Sequence, residues 1–72
     1  MDKKPLPPRA RYCLAFIKSY INQHQFPPSM REIKAAMGLK SISGVTEHLG
    51  WLERNGWITR SKGKYRSIVI VP

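Results

Sequence analysis

The feature that most constrains the fold is a pair of predicted helices in which the end of the first lies only a few residues before the start of the second. The segment 29–32, Ser-Met-Arg-Glu, has the form of a capping box, in which the serine oxygen accepts a first-turn amide and the glutamate reaches back. Gly38 supplies the left-handed residue that ends such a helix, and Ser41 is a good N-cap for the next one. Two helices joined through a glycine by about three residues predict a helix-turn-helix unit.

The chain on either side of this unit predicts a further helix before it and a hairpin after it. Over 8–24 the apolar residues recur at helical spacing, and the Pro-Pro pair at 27–28 ends the segment. After the helix over 41–55, two β-prone runs, 57–60 and 65–71, flank a turn. The predicted order is helix, helix, helix, strand, turn, strand.

Three short helices cannot cover their apolar faces alone in so small a chain, so the hairpin is expected to close the core. The inward positions predicted from spacing are Cys13, Phe16, Ile17, Tyr20, Ile21, Ile33, Ala36, Met37, Ile42, Val45, Leu49, Leu52, Ile58, Ile68 and Ile70, with Leu39 filling the turn. The predicted fold class is α+β, mainly α: a three-helix winged helix-turn-helix over 8–72 with a C-terminal β-hairpin wing. Residues 1–7 are expected to form a flexible basic arm.

The charge balance of the chain points to an anionic partner. Its 72 residues carry 13 Lys and Arg against 4 Asp and Glu, a formal net charge of +9. So large an excess raises self-repulsion in a small domain, and an anionic partner relieves it. Nucleic acid and anionic lipid both qualify, and a basic surface that serves only solubility is the remaining alternative.

Cysteine usage and hydrophobicity limit the compartment. The single cysteine, Cys13, cannot form an intramolecular disulfide, which fits a reducing environment. No apolar run approaches the length of a membrane span, and Arg9, Arg11 and Lys18 interrupt the stretch where a signal peptide would be apolar. We therefore expect a cytoplasmic protein that has no membrane partner.

Residues suited to catalysis or metal binding are scattered. His24 and His48 lie far apart in the sequence, Cys13 lies on an apolar stripe, and metal-ligand spacing is missing. His48 falls at the edge of a predicted core face, where packing is its expected role. The chain also lacks a Gly-rich phosphate loop and a Ser/His/Asp set. The sequence thus predicts no enzyme, no cofactor, no metal and no small-molecule substrate.

The outward face of the helix over 41–55 is the candidate recognition surface, to be placed in the major groove of DNA. Its first turns carry small polar residues, which let a helix approach base edges closely. Ser43 and Thr46 can donate or accept, and the Thr46 methyl can contact a thymine methyl. The Glu47 carboxylate can accept from cytosine N4, and a solvated helix charge is its alternative role.

Basic residues frame that face and are candidate phosphate contacts, which position a protein on DNA without specifying sequence. They are Arg31, Lys34, Lys40, Arg54, and the hairpin group Lys62, Lys64 and Arg66 within the wing over 61–66. Ser29 and Ser41, at helix N-termini, can also present amides to phosphate. A solubilising charge is the alternative for any single lysine, but no acid opposes the hairpin group.

Several blocks of this sequence resemble the DNA-binding domain of LexA repressors. They are Phe-Pro-Pro-Ser-Met-Arg-Glu-Ile over 26–33, Met-Gly-Leu-Lys-Ser over 37–41, Glu-His-Leu over 47–49, and Leu-Glu-Arg-Asn-Gly over 52–56, followed by Ile58. The Pro-Pro and Glu-His-Leu blocks together are fairly specific, and the likeness extends over nearly the whole chain. It implies a winged domain whose third helix reads operator DNA, in a bacterial or phage-encoded regulator associated with the nucleoid.

The resemblance also implies where bases are read, because in LexA-like domains those positions cluster at the start of the third helix. Carried over, they are Ser41, Ser43, Gly44, Thr46 and Glu47. Ser41 and Glu47 match the usual residues of the family. Ser43 stands where Asn is frequent, Thr46 where Glu is frequent, and Ile42 where Pro is frequent. These departures predict a different or relaxed preference from the family's usual operator.

LexA repressors also carry a C-terminal domain with a Ser/Lys peptidase pair, an Ala-Gly cleavage site and the main dimer interface. The 72 residues here resemble only the DNA-binding part, so self-cleavage is not expected of this chain. We interpret the chain either as an excised domain or as a small stand-alone regulator. A lone winged domain makes few base contacts, so a homodimer on a palindromic operator is expected.

Two functions stay open at this point. The first is sequence-specific binding of double-stranded DNA by a transcriptional regulator, which we expect to be a repressor. The second is a protein-interaction winged-helix module, such as a phage-encoded partner of a host regulator, in which Trp51 and Trp57 form part of an exposed apolar patch. Binding to RNA or single strands is a weaker third, because the aromatic residues fall mostly on helical core spacing.

Overall fold

The computed structural model describes residues 5–61 and 67–72. Within them, the elements are α1 (Pro8–His24), α2 (Met30–Met37), α3 (Ile42–Arg54), β1 (Ile58–Thr59) and β2 (Val69–Ile70). The two strands pair antiparallel, with Ile58 opposite Ile70. This mainly helical arrangement confirms the predicted fold class. The arm residues 1–4 and the wing cations Lys62, Lys64 and Arg66 lie outside the described residues.

The ends of α1 follow the predicted signals. Pro8 occupies the first turn, where its missing amide costs nothing, and Pro7 precedes it in an extended conformation. At the other end Gln25 is left-handed, with a φ of 66°, and donates its amide to the Ile21 carbonyl at 2.8 Å. The chain then passes through the Pro-Pro pair at 27–28 into α2.

The capping box of α2 is present and is reinforced from α1. The Ser29 Oγ accepts the Glu32 amide at 3.2 Å, and the Glu32 Oε1 accepts the Ser29 amide at 2.6 Å. The second carboxylate oxygen of Glu32 accepts the Tyr20 hydroxyl at 2.8 Å. One carboxylate therefore fixes both the start of α2 and its contact with α1.

The predicted glycine turn ends α2. Gly38 has a φ of 66° and donates its amide to the Ala35 carbonyl at 3.2 Å. The Leu39 amide donates to the Lys34 carbonyl at 3.0 Å, so two backbone hydrogen bonds cap the end of the helix. The Leu39 side chain packs against the core, as predicted.

Two side chains of α1 hold this end of α2 in place. The Tyr12 hydroxyl donates to the Ala36 carbonyl at 3.1 Å, and the Arg9 guanidinium donates to the Met37 carbonyl at 3.1 Å. A cation at a helix C-terminus also complements the helix dipole. Together with the Tyr20 contact, these bonds tie α1 to both ends of α2 and fix the helix-turn-helix pair against the core.

The bounds of α3 follow the predicted caps, with one difference. Ser41 is the N-cap residue, but its hydroxyl bonds to the Ser43 Oγ at 2.8 Å instead of accepting a helix amide. At the C-terminus the Asn55 side-chain amide donates to the Trp51 carbonyl at 2.8 Å. Gly56, with a φ of 84°, then directs the chain into β1.

The core lies between the three helices and the hairpin. Its buried apolar residues are Ala10, Cys13, Leu14, Ile17, Ile33, Met37, Val45, Leu49, Leu52, Ile58 and Ile68. Ile58 and Ile68 close it from the hairpin, with Ile70 packed at its edge, which confirms the expected role of the hairpin. Ala10 and Leu14 extend the buried stripe of α1 beyond the positions that spacing predicts.

One predicted core residue is misplaced by the spacing rule. Ile42 is expected to face inward with Val45 and Leu49, but its side chain is 38% exposed. It is the first residue of α3, and there it lines an open groove beside Leu39 instead of the closed core. The prediction for this position is therefore wrong.

Hydrogen bonds through a side chain continue the hairpin beyond its short strands. Each described strand has only two residues, fewer than the β-prone runs predict. Beyond β1 the Ser61 amide donates to the Ser67 Oγ at 3.2 Å, and the Ser67 hydroxyl donates to the Ser61 carbonyl at 3.0 Å. The described strands are therefore shorter than the predicted runs, and at Ser61 a side-chain hydroxyl takes the place of backbone ladder partners.

The turn between α2 and α3 yields a stability prediction. Gly38→Ala should lower the free energy of unfolding by about 1 kcal/mol, because an L side chain disfavours the left-handed conformation. An added Cβ would meet nothing within 4 Å, so the loss should come from the backbone. Gly38→Asn is the matched control and should lose less, since asparagine tolerates this conformation. Urea unfolding followed by tryptophan fluorescence measures both, and equal losses would contradict this explanation.

Burial of Cys13 yields a second prediction. Its side chain is 0% exposed, and desolvation raises the pKa of the thiol from 9.0 to about 11. At pH 8 the native protein should therefore resist a thiol reagent such as DTNB, while the urea-unfolded chain reacts rapidly. Because the folded chain holds this proton more tightly, the thiol also lowers stability as the pH rises from 9.0 toward 11. Native labelling that is as fast as labelling of the unfolded chain would contradict both statements.

Candidate nucleic-acid interface

The outward face of α3 is open to solvent over its first two turns. Val45, Leu49 and Leu52 are fully buried on the opposite face of the helix. The exposed polar residues at its start are Ser41, Ser43, Thr46 and Glu47. Folding thus brings these four predicted base-reading residues together on one exposed patch, which we call the reading surface.

Gly44, the fifth predicted base reader, lies at the edge of the reading surface and faces the turn. It is half-buried, and a Cβ built on it would approach the Leu39 Cδ1 to 3.4 Å, an ordinary van der Waals distance. The absence of a side chain therefore keeps this flank of the helix narrow where Leu39 passes.

The hydroxyl groups of the reading surface are already engaged within the chain. Ser41 and Ser43 share a hydrogen bond of 2.8 Å between their Oγ atoms. The Thr46 hydroxyl donates to the Ile42 carbonyl one turn earlier at 3.2 Å. Because that hydrogen is committed, Thr46 offers a ligand its methyl group and an oxygen lone pair.

Glu47 differs from the other acids that the structure describes. Glu32 is engaged in the capping box, and Glu53 pairs with Arg60 at 3.3 Å. Glu47 is exposed, and no described residue hydrogen-bonds or pairs with its carboxylate. An unpartnered carboxylate in a chain of net charge +9 is free to accept a donor from outside the protein.

The cations predicted to meet phosphate stand on α2, in the turn and at the end of α3. Arg31, Lys40 and Arg54 are exposed, and Lys34 is half-buried. None of the four forms an ion pair with another described residue. Positive charge therefore flanks the start of α3 and is repeated at its C-terminal end.

An open groove of about 550 Å³ lies between α2 and α3. Arg31 and Lys34 line it together with Ala35, Gly38, Leu39 and Ile42. Two cations thus share the groove with an apolar lining, directly beside the reading surface. The spacing of apolar residues in the sequence does not predict this groove, because it assigns Ile42 to the core. The position of Ile42 at the first residue after a tight turn is the sequence signal that could have indicated it.

Ser29 and the wing cations complete the set of predicted phosphate contacts, and Arg60 is a further basic residue near α3. Ser29 is buried, and its hydroxyl and amide are both engaged with Glu32. The wing cations over 62–66 lie outside the described residues, so their role stays a prediction. Arg60 is not among the phosphate contacts predicted from the sequence. It pairs with Glu53 close to the end of α3.

The residues that could suggest other chemistry are dispersed. His24 is exposed and packs against Tyr20 with the ring centroids 4.2 Å apart and the planes tilted by 39°, and His48 is half-buried. Among the described residues no group of three or more His, Cys, Asp and Glu could hold a metal ion. In that same part of the chain, no helix has the length and apolar character needed to cross a bilayer.

The apolar patch needed for a protein-interaction module is not formed by the two tryptophans. Trp51 and Trp57 are only partly exposed and pack against the core. Among the residues that the structure describes, the exposed large apolar side chains are those of Tyr12, Phe26, Ile42 and Val69. They belong to four different segments of the chain, so this alternative gains no support.

Known proteins are similar in sequence to the part of the chain that contains these elements. The family described as LexA DNA binding domain matches residues 3–67. The LexA repressor of Geotalea uraniireducens (strain Rf4) is 46% identical over 66 residues, which is 92% of this chain and 33% of that protein. The LexA repressor of Caldicellulosiruptor saccharolyticus is 46% identical over 69 residues, 96% of this chain and 34% of its own length. That of Clostridium kluyveri is 52% identical over 56 residues, 78% and 28% respectively.

The chain spans about a third of the length of these relatives. The matched region nonetheless includes the capping box of α2, the glycine turn and the whole of α3. These are the elements that create the reading surface and its flanking cations. The chain belongs to the LexA DNA-binding domain family.

Proposed function

We propose that this domain binds double-stranded DNA at specific sequences and acts as a transcriptional repressor. The start of α3 enters the major groove, and the flanking cations bind phosphates. The family relationship supports this role, since the matched family is a DNA-binding domain and the relatives are named repressors. Neither a cofactor nor catalysis is needed for such a function.

The observation that carries the proposal is the unpartnered Glu47 carboxylate on the reading surface. Near DNA phosphates a carboxylate is repelled unless it meets a donor, and the N4 amine of cytosine is such a donor in the major groove. A solvated acid in so basic a chain would be expected to pair with a cation, as Glu53 does with Arg60. We therefore assign to Glu47 the strongest discrimination between bases.

The rest of the reading surface permits close approach to base edges. Ser41, Ser43 and Gly44 have side chains no larger than a hydroxymethyl group. The paired serine hydroxyls can offer one donor together with spare lone pairs, so they discriminate only loosely. Specificity in this proposal comes from few contacts, with Glu47 first and the hydroxyl residues second.

Phosphate contacts supply most of the affinity. Arg31, Lys34, Lys40 and Arg54 carry them in the described residues, and Lys62, Lys64 and Arg66 are proposed to add contacts from the wing. Each neutralised phosphate releases counterions, so binding should weaken steeply as salt is added. A titration with random-sequence duplex at low salt tests this step, and an absence of binding there would contradict the proposal.

We further propose that two copies bind a palindromic operator, because one reading surface makes few base contacts. The half-sites should then lie about one helical turn, or a multiple of it, apart. Selection of bound duplexes from a random pool measures the preferred sequence and the spacing together. A single unrepeated motif would contradict the dimer while leaving the DNA-binding role in place.

The role of Glu47 gives a prediction about specificity. Glu47→Gln should reduce discrimination at one C·G position by about 1–3 kcal/mol, because the carboxylate that accepts from cytosine is lost. Binding to random DNA should strengthen slightly, since one negative charge is removed. Competition binding with single-base variants of the selected duplex measures both effects.

Glu53→Gln is the matched control for this change. It removes the same charge from the same helix, at a residue that pairs with Arg60 instead of lying on the reading surface. It should therefore leave the base preference unchanged. If both variants alter the preference equally, the assignment of Glu47 as a base reader fails.

The role of the cations gives a prediction about salt dependence. Arg31→Ala and Lys40→Ala should each weaken binding to all sequences and flatten the slope of log K against log salt by about 0.9. Lys62→Ala and Lys64→Ala are expected to behave in the same way. Lys18→Ala, an equal loss of charge on the exposed side of α1, serves as the control and should preserve the slope. A change of sequence preference without a change of slope would contradict the phosphate role.

A further inference from the structure

We infer that Ile42 is a specificity residue that contacts the 5-methyl group of a thymine bound at the edge of the reading surface. Because this adds a reader to the same surface, it rests on the proposed function. It also assigns a function to an apolar side chain that is not buried in the core.

The first observation is the placement of Ile42. Its side chain is 38% exposed and lies at the first residue of α3, between the exposed Ser41 and Ser43. An isoleucine in contact with water forgoes hydrophobic stabilisation, which an apolar ligand group would restore. In the major groove the 5-methyl of thymine is the apolar group that a base edge presents.

The second observation is the relation between Ile42 and Thr46. Residues four apart on a helix are neighbours on its surface. The Thr46 hydroxyl donates back to the Ile42 carbonyl at 3.2 Å, so the methyl of Thr46 is the part best placed to make a new contact. Ile42 and Thr46 therefore form an apolar margin of the reading surface, next to the polar group formed by Ser41, Ser43 and Glu47.

The third observation is the chemistry of the groove that Ile42 lines. Arg31 and Lys34 contribute two cations to it, while Ala35, Leu39 and Ile42 contribute apolar surface. This combination matches a nucleotide, which joins an anionic phosphate to a base with an apolar methyl edge. A strand whose phosphate meets Arg31 or Lys34 would bring a neighbouring base to Ile42.

The contact should depend on the presence of a 5-methyl group, whichever pyrimidine base carries that group. Deoxyuridine differs from thymidine only by the missing 5-methyl, and 5-methylcytosine carries a methyl at the same ring position as thymine. Replacing thymine by uracil at the Ile42 position should therefore weaken binding. At that position 5-methylcytosine should bind more tightly than unmodified cytosine.

The experiment is a uracil scan of the duplex selected by the wild-type protein. Each thymidine is replaced in turn by deoxyuridine, and binding is measured for the wild type and for Ile42→Ala. We expect one position where the replacement weakens wild-type binding about fourfold, the effect of one buried methyl or methylene group. At that position Ile42→Ala should be insensitive to the replacement.

Three controls make the outcome decisive. Thr46→Ser, which removes only a methyl group, should lose sensitivity at a different thymidine or to a lesser degree. Val69→Ala shortens another exposed apolar side chain, 59% exposed on β2, and should reproduce the wild-type scan. Ile42→Val keeps a branched side chain and should retain part of the sensitivity, and thermal unfolding verifies that every variant is folded.

The failure of this inference can be told apart from the failure of the proposed function. If the wild type binds the selected duplex but Ile42→Ala shows the same uracil sensitivity at every position, Ile42 is not a reader. A scan in which no thymidine matters to the wild type has the same consequence. If the wild type binds no duplex at all, the proposed function fails first and the inference falls with it.

Discussion

The carboxylate of Glu32 is the interaction on which the rest of this small fold depends. One oxygen accepts the Ser29 amide and starts α2, and the other accepts the Tyr20 hydroxyl and ties that helix to α1. The turn after α2 then determines where α3 begins. A surface proposed to meet base edges needs a firmly held backbone. This acid, together with Arg9 and Tyr12 at the other end of α2, ties the helix-turn-helix pair to α1.

The features that sequence alone predicts are those in which the signal and its partner are close neighbours in the chain. The capping box, the glycine turn and the bounds of α1 are of this kind, because each needs only residues within about one helical turn. The Tyr20 contact with Glu32 and the exposure of Ile42 depend on how separate elements meet. Helical periodicity describes a face but does not say whether another element covers the end of it, and Ile42 lies at such an end.

The candidate site shows the same division between local and tertiary information. Subtraction of the core face finds Ser43, Thr46 and Glu47 correctly as exposed residues of α3. It cannot tell that Gly44 faces Leu39, since that depends on the path of the turn. Nor can it tell that Glu47 alone among the described acids lacks a partner, because pairing depends on which cations folding brings near. The chemistry of the reading surface is set as much by what the fold satisfies internally as by which residues it exposes.

The paired bonds between Ser61 and Ser67 have a consequence for how this domain can change. They join the two chain segments where the strands end and residues 62–66 begin. The core that the strands close therefore does not depend on how many residues lie between Ser61 and Ser67. Doubling the length of a loop closed in this way costs only about 0.6 kcal/mol. Insertions and deletions between the two serines should therefore cost the folded core little stability, even where they alter the cations that the wing is proposed to offer to DNA.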